Sequence, residues 1–355
     1  MSGKTILILC LAIGLLVIGI VGAVIYSYWS DWSHPWGTAD QEFLIDIEKG
    51  MTAEQIANLL KDKGVLKDTT FFLIMADLQG FGGSLKAGEY RISGASSPVE
   101  IVEMMGRGDI HRRRFVLPEG ITINQVAQIL EETQICKAAD FLQAAGFGQV
   151  YQDAGLKSGG RVTAPGAEGF LFPDTYFMEK NCEPPSRVRD RLMRRFNEVY
   201  NYLLEQVPEA ERWWMLEENG SVPAMVTLAS LVEREAKRDE DRPLVASVFR
   251  NRIKQGMPLQ SDATIHYILG DWSRPITPEE KQIDDKYNTF LNKGLPPGPI
   301  CNPGRASLVA AMAPAKTDYL YFMATGDGKT EFSKTLDEHN AMRQRVRTDQ
   351  SQPGQ

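Results

Sequence analysis

A chain of 355 residues with 43% apolar and 24% charged residues is long enough for two or three domains with cores of their own, which excludes a disordered chain. A formal charge of −7 excludes a nucleic-acid partner, because phosphate backbones are held by clustered Lys and Arg and the one basic run, His111-Arg-Arg-Arg114, is short. That run reads either as a solvated strand edge or as the rim of a groove that steers an anion.

In chain order, Ile6 to Ser30 carries no charge and exceeds the ~20 residues that a helix needs to cross the hydrocarbon core, so a single N-terminal transmembrane helix is expected at 6–30 after a cytoplasmic stub at 1–5. Tyr26, Tyr28, Trp29 and Trp32 at its end suit the membrane interface, and Lys4 before it against Asp31, Asp40 and Glu42 after it put the bulk of the chain outside the cytoplasm. The expected location is the inner (cytoplasmic) membrane, single-pass, with the working part extracytoplasmic.

An internal repeat follows. "EKGMTAEQIANLLKDKGVLKDTTFF" from Glu48 matches "PEGITINQVAQILEETQICKAADFL" from Pro118 without a gap, pairing Gly50 with Gly120, Thr52 with Thr122, Gln55 with Gln125, Leu60 with Leu130 and Phe71 with Phe141. Each copy reads as a strand ("FLIDI", "RRFVL"), a Gly turn, a Thr N-cap and a helix whose apolar face is Ile56/Leu59/Leu60 or Val126/Ile129/Leu130. Such β-α-α modules resemble the LysM glycan-binding fold, and they either bind polymers or only pack. The expected domains are a LysM-like unit at 31–108 and a larger one at 109–345, whose part 109–180 contains the second copy, with a flexible tail at 346–355. Beyond Pro184-Pro185 the pattern turns helical, then closes on a strand pair ("YLYFMAT", "KTEFS").

Several chemistries drop out. Gly3-Lys4-Thr5 and Gly328-Lys329-Thr330 lack the earlier glycine of a P-loop, and G-x-S-x-G is absent. Cys10, Cys136, Cys182 and Cys301 show no spacing that selects a disulfide, and His34, His111, His266 and His339 are scattered, so neither a metal nor another cofactor is expected.

The stretch "LASLVEREA", Leu228 to Ala236, places two acids in an apolar helix. At about 100° per residue Glu235 falls roughly 20° from Leu228, inside the core stripe, while Glu233 lies near 140°. A poorly solvated carboxyl keeps its proton to higher pH and can act as a general acid. The bland alternative pairs Glu235 with Lys237 or Arg238. Asp239, Glu240, Asp241 and Pro243 end the helix soon afterwards, which puts Glu235 at the lip of a cleft.

"ASLVEREA", "VASVFRNRIKQGMPLQSDATIHY", "YNTF", "GLPPGPICNPG" and "AAMAPAKTDYLYF", with "LKAGEYRI" and "EGFLFPDTY" upstream, make the chain similar to the membrane-anchored endolytic murein transglycosylases, the YceG-like family. The resemblance implies an α+β fold: a transmembrane helix, a small LysM-like module and a mixed α+β catalytic domain with a helical, lysozyme-like core. It implies Glu235 as the catalytic residue and Gln260, Ser261, Asp262, Thr264, Tyr287, Asn288 and Thr289 as residues that hold the sugar or support the site. Glu233 is either a partner that orients the site or a plain helix-face acid. The family usually has a hydroxyl residue where this chain has Ala236. The implied partners are peptidoglycan glycan strands, the inner membrane and cell-wall synthases. The implied reaction is cleavage of the MurNAc-GlcNAc bond by the sugar's own 6-hydroxyl, giving a 1,6-anhydro end and stopping strand elongation. A non-catalytic glycan-binding scaffold is the alternative, and a hydrolase with Asp262 as the second carboxylate is another. Phe170, Phe172, Tyr176 and Tyr287 read either as sugar-stacking rings or as core.

Overall fold

The computed structural model describes residues 3–146, 166–212, 221–325 and 329–350. Residues 147–165, which the second repeat copy was expected to run through, lie outside the described residues, as do Gly328 and residues 351–355 of the expected tail.

The first helix, α1 (Gly3–Ser33), covers the segment read as membrane-spanning, but that reading is corrected: among the described residues no helix is long and apolar enough to cross a membrane. The side chains of residues 11–24 in it are exposed. Trp29, read as an interface anchor, instead meets the ring of Phe71 edge-on at 5.4 Å. The fold is α+β.

The chain divides into two compact units, Met1–Arg113 and Arg114–Gln355. In the first, β1 (Glu42–Ile47) pairs antiparallel with β2 (Gly88–Ser93), Ile45 opposite Tyr90. Between them lie α2 (Ala53–Asp62) and α3 (Thr69–Leu78), and α4 (Pro98–Arg107) follows. Alternation along the strands and a 3.6-residue period along the helices send Ile45, Ile47, Ile56, Leu60, Phe72, Tyr90, Ile92 and Ile101 into one core. The basic run is partly consumed there: Arg113 makes a two-pronged ion pair with buried Glu89, at 2.9 and 2.6 Å.

The second unit holds β3 (Arg112–Val116), which starts at the boundary and pairs with β4 (Thr175–Glu179). It continues with α5 (Ile123–Glu132), α6 (Ala138–Ala145), α7 (Ser186–Gln206), α8 (Val222–Glu235), α9 (Arg242–Lys254), α10 (Asp262–Leu269) and α11 (Arg305–Met312). A hairpin of β5 (Tyr321–Ala324) and β6 (Thr330–Ser333) precedes α12 (Leu336–Gln350). Helix α8 runs through the middle of this core, with Met225, Val226, Leu228, Ala229, Leu231 and Val232 buried together with Phe170, Phe196, Val245, Phe249 and Leu308. Cys136, Cys182 and Cys301 are free thiols.

The segment 166–172 is fixed by close approach. Gly169 has a φ of +85°, and a Cβ there would stand 2.5 Å from Pro299 and 3.0 Å from the Val226 side chain of α8. Only glycine fits both the backbone angle and the space. Pro299, at the end of the Pro-rich run, and Val226 of the central helix therefore close on Gly169 together.

Candidate active site

Glu235 is the last residue of α8, and the chain leaves the helix at Ala236, whose N–H still bonds to the Val232 carbonyl at 2.9 Å. Ending the helix there lets a carboxyl that belongs to the core stripe reach partly exposed space. Its partners come from the start of α10. The Ser261 hydroxyl donates to Oε1 at 2.5 Å, and the Ala263 backbone N–H donates as well. Burial pushes the carboxyl above its ordinary range, with Asp262 adding to the push, while Ser261, the Ala263 N–H and His266 pull the other way. Neither bland partner is taken up: Arg238 pairs with Glu240 at 2.7 Å.

Ser261 is itself held by a network of hydroxyls. Its N–H donates to Thr289 Oγ1 at 3.1 Å, its carbonyl accepts from Thr264 Oγ1 at 2.7 Å, and the two threonine oxygens lie 3.1 Å apart. Ser261, Thr264 and Thr289 are all buried. Gln260 is exposed and held at φ +54°, with its N–H on the Thr289 carbonyl at 3.1 Å. A non-glycine residue in that region costs about 1 kcal/mol or more, and such positions cluster at functional sites.

The remaining sequence-selected residues divide. Asp262 is half-exposed and its carboxylate is paired with Lys281 Nζ at 2.7 Å. Asn288 is buried and spends its amide on the Lys281 and Ile283 carbonyls, at 3.1 and 2.8 Å, and on the Phe290 N–H at 2.9 Å, which makes it a turn-former. Tyr287 is buried, its ring 5.1 Å from that of Tyr267, and burial lifts its hydroxyl to about 12. Phe170, Phe172 and Tyr176 are core residues.

Glu233, two residues before the helix end, has a different task. Its side chain is 7% exposed, Oε2 accepts the Gly304 N–H at 2.9 Å, and Oε1 faces Arg242 Nη1 at 3.3 Å. Arg242 also reaches Asp239 at 3.0 Å and Ser307 at 2.5 Å. One turn earlier Ser230 Oγ accepts the Ile300 N–H at 3.0 Å, so this face of α8 fastens the segment 300–304.

Three residues escape a sequence reading. Asn302 donates from its side chain to the Ile121 carbonyl and to Glu168 Oε1, both at 3.0 Å, and accepts the Leu171 N–H at 2.9 Å. Glu168 is buried, receives the Ile123 N–H at 3.0 Å, and is pushed up by burial to about 8 against the pull of the Ile123 and Gly169 N–H groups and Asn302. His266 donates from Nδ1 to the Asp271 carbonyl at 2.6 Å, and its ring stacks on Trp272. "EGF" and "CNPG" marked the first two stretches, yet nothing local ties 168 to 302.

A model of the YceG-like family matches residues 45–345 of the chain. The chain belongs to the YceG-like family. It is 32% identical over 311 residues, 85% of this chain and 84% of the other, to a protein of Bacillus subtilis named endolytic murein transglycosylase. It is 28% identical to one of the same name from Streptococcus pneumoniae, covering 83% of this chain and 57% of that longer protein. Among solved structures, the crystal structure of a yceG-like protein from Listeria monocytogenes superposes with a TM-score of 0.56 at 32% identity, over 85% of this chain and 99% of that one.

Proposed function

We infer that this chain is an endolytic murein transglycosylase: a lytic enzyme that cuts within the glycan strands of peptidoglycan and therefore works outside the cytoplasm. The supporting observation is the surroundings of Glu235, a carboxyl raised by burial at the partly open end of a core helix, with one oxygen held by Ser261. Two relatives carry that name.

In this reading the protonated Glu235 gives its proton to the glycosidic oxygen as the bond from C1 of MurNAc to that oxygen breaks. The 6-hydroxyl of the same sugar then bonds to C1 and passes its proton to the Glu235 carboxylate, which restores the acid and leaves a 1,6-anhydro end. One carboxyl serves both steps. Ser261 and the Ala263 N–H hold the carboxyl in place for both steps. Gln260, exposed beside the acid in its constrained backbone conformation, is the side chain that meets the sugar, and Thr264 and Thr289 act through Ser261. A water-using reaction calls for a second carboxylate, and Asp262, the natural choice, is engaged by Lys281 at 2.7 Å. Strands shortened in this way end their elongation beside the synthases that made them.

The test is end-group analysis by mass spectrometry of uncrosslinked peptidoglycan strands after incubation with the full chain. Anhydro-muramyl ends support the reading. Reducing ends would assign hydrolysis, and strands bound but uncut would assign a scaffold.

A further inference from the structure

Helix α10 does more than support the acid. The helix begins under Glu235 and its far end lines a groove of about 600 Å³, within the range of pockets that hold small molecules. Tyr267, Tyr287 and Trp272 line it together with Asn124, Gln125 and Gln128 of α5. The groove adjoins the acid through Arg234, the residue before Glu235, whose guanidinium lies 3.5 Å above the Trp272 ring while its Nη1 donates to the Gly120 carbonyl at 3.2 Å.

We propose that this groove is a saccharide-binding site that takes the N-acetylated sugar backbone of the strand beyond the bond being cut, with α5 of the second repeat copy supplying its polar side chains. Charge argues first: Asp285 and Lys286 line it together and cancel, so neither an anion nor a cation is selected. Chemistry argues second. Aromatic rings beside a few amide side chains offer flat apolar surface together with paired donors and acceptors, which is what the faces, hydroxyls and acetamido groups of a sugar present. Asn124 and Gln128 stand at i and i+4, side by side on one helix face, and Gln125 is one residue along. Gln125 Oε1 accepts the Thr122 N–H at 2.9 Å and Gln128 Nε2 donates to Glu132 at 2.8 Å, so the amide nitrogen of the first and the amide oxygen of the second are the groups left for a ligand. The site therefore offers both a donor and an acceptor.

The proposal rests on the glycan-cleaving reading, and its test separates the two. The full chain with Glu235→Gln is titrated calorimetrically with the hexamer of N-acetylglucosamine, alone and with Asn124→Ala and Gln128→Ala added. Both positions are exposed, and thermal melting checks that the fold is kept. The expected result is binding that weakens about tenfold or more in the triple variant, and, in chains that retain Glu235, a higher KM for strands at unchanged kcat. Equal affinity with and without the two alanines, or no binding by the Glu235→Gln chain, overturns the proposal. Strand cleavage that proceeds while hexamer binding ignores the groove leaves the cleavage reading standing and removes the groove. Groove-dependent binding without cleavage by the chain that retains Glu235 does the reverse.

Discussion

The two repeat copies solve one folding problem twice and then part company. Thr52 and Thr122 cap their helices with the same reciprocal bonds to Gln55 and Gln125. The helices bury Ile56, Ala57 and Leu60 in one copy and Val126, Ala127 and Leu130 in the other. The turns that follow match as well: the Leu60 carbonyl accepts the N–H groups of Val65 and Leu66, and that of Leu130 those of Ile135 and Cys136. The differences lie outside this frame. Glu54 and Asn58 occupy the places of Asn124 and Gln128, and only the second helix receives a buried carboxylate, Glu168, on its first N–H. What was repeated is a way of burying a helix, and what was specialised is the exposed face and the helix start.

The largest expected effects test the shared frame. Leu60→Ala and Leu130→Ala each remove a fully buried side chain and should each cost about 2–5 kcal/mol in denaturant unfolding. A loss under about 1 kcal/mol at either position would break the equivalence of the copies. Next comes the carboxylate that only the second copy has. Its folded pKa of about 8 lies above the ordinary 4.5, so the folded state holds the proton longer than the unfolded one. The stability that this gives is complete below pH 4.5 and is lost as pH rises through about 8. Glu168→Gln should flatten the fall in melting temperature across that window, and a slope equal to that of the parent chain would show that Glu168 titrates normally. The smallest effect concerns the turn after each helix, where Gly64 at φ +76° has Gln134 at φ +57° as its counterpart. Gln134→Gly should stabilise by up to about 1 kcal/mol, since glycine adopts that region freely. A loss of stability would mean that the Gln134 side chain holds more than its backbone angle costs.

Local signals explain what was legible. A Thr cap with Gln three residues on, an apolar period and a glycine turn lie within a dozen residues of each other, so both repeat helices could be read directly. The position of Glu235 at the end of an apolar helix could be read as well, because the stripe and the acidic run after it are local, and the helix does end there. Glu233 was not: the wheel set it off the core stripe, yet Arg242 and the Gly304 N–H come from distant segments to cover that face. Glu168 and Asn302 meet across 134 positions, and no period carries such information. The apolar run of α1 read as a membrane span because charge and length were the only guides, and the structure does not bear that out. Ser261 was selected by resemblance, but its bond to Glu235 depends on how α8 ends above α10.

The division of labour between the two acids of α8 is the central claim, and the rate of strand cleavage by Glu235→Gln tests it most directly. The substitution keeps the shape and removes the transferable proton. Cleavage should fall by about 10²-fold or more, the usual contribution of a general acid, in a chain whose melting temperature and hexamer binding are kept. Cleavage within a few-fold of the parent chain would contradict the assignment of the chemistry to Glu235.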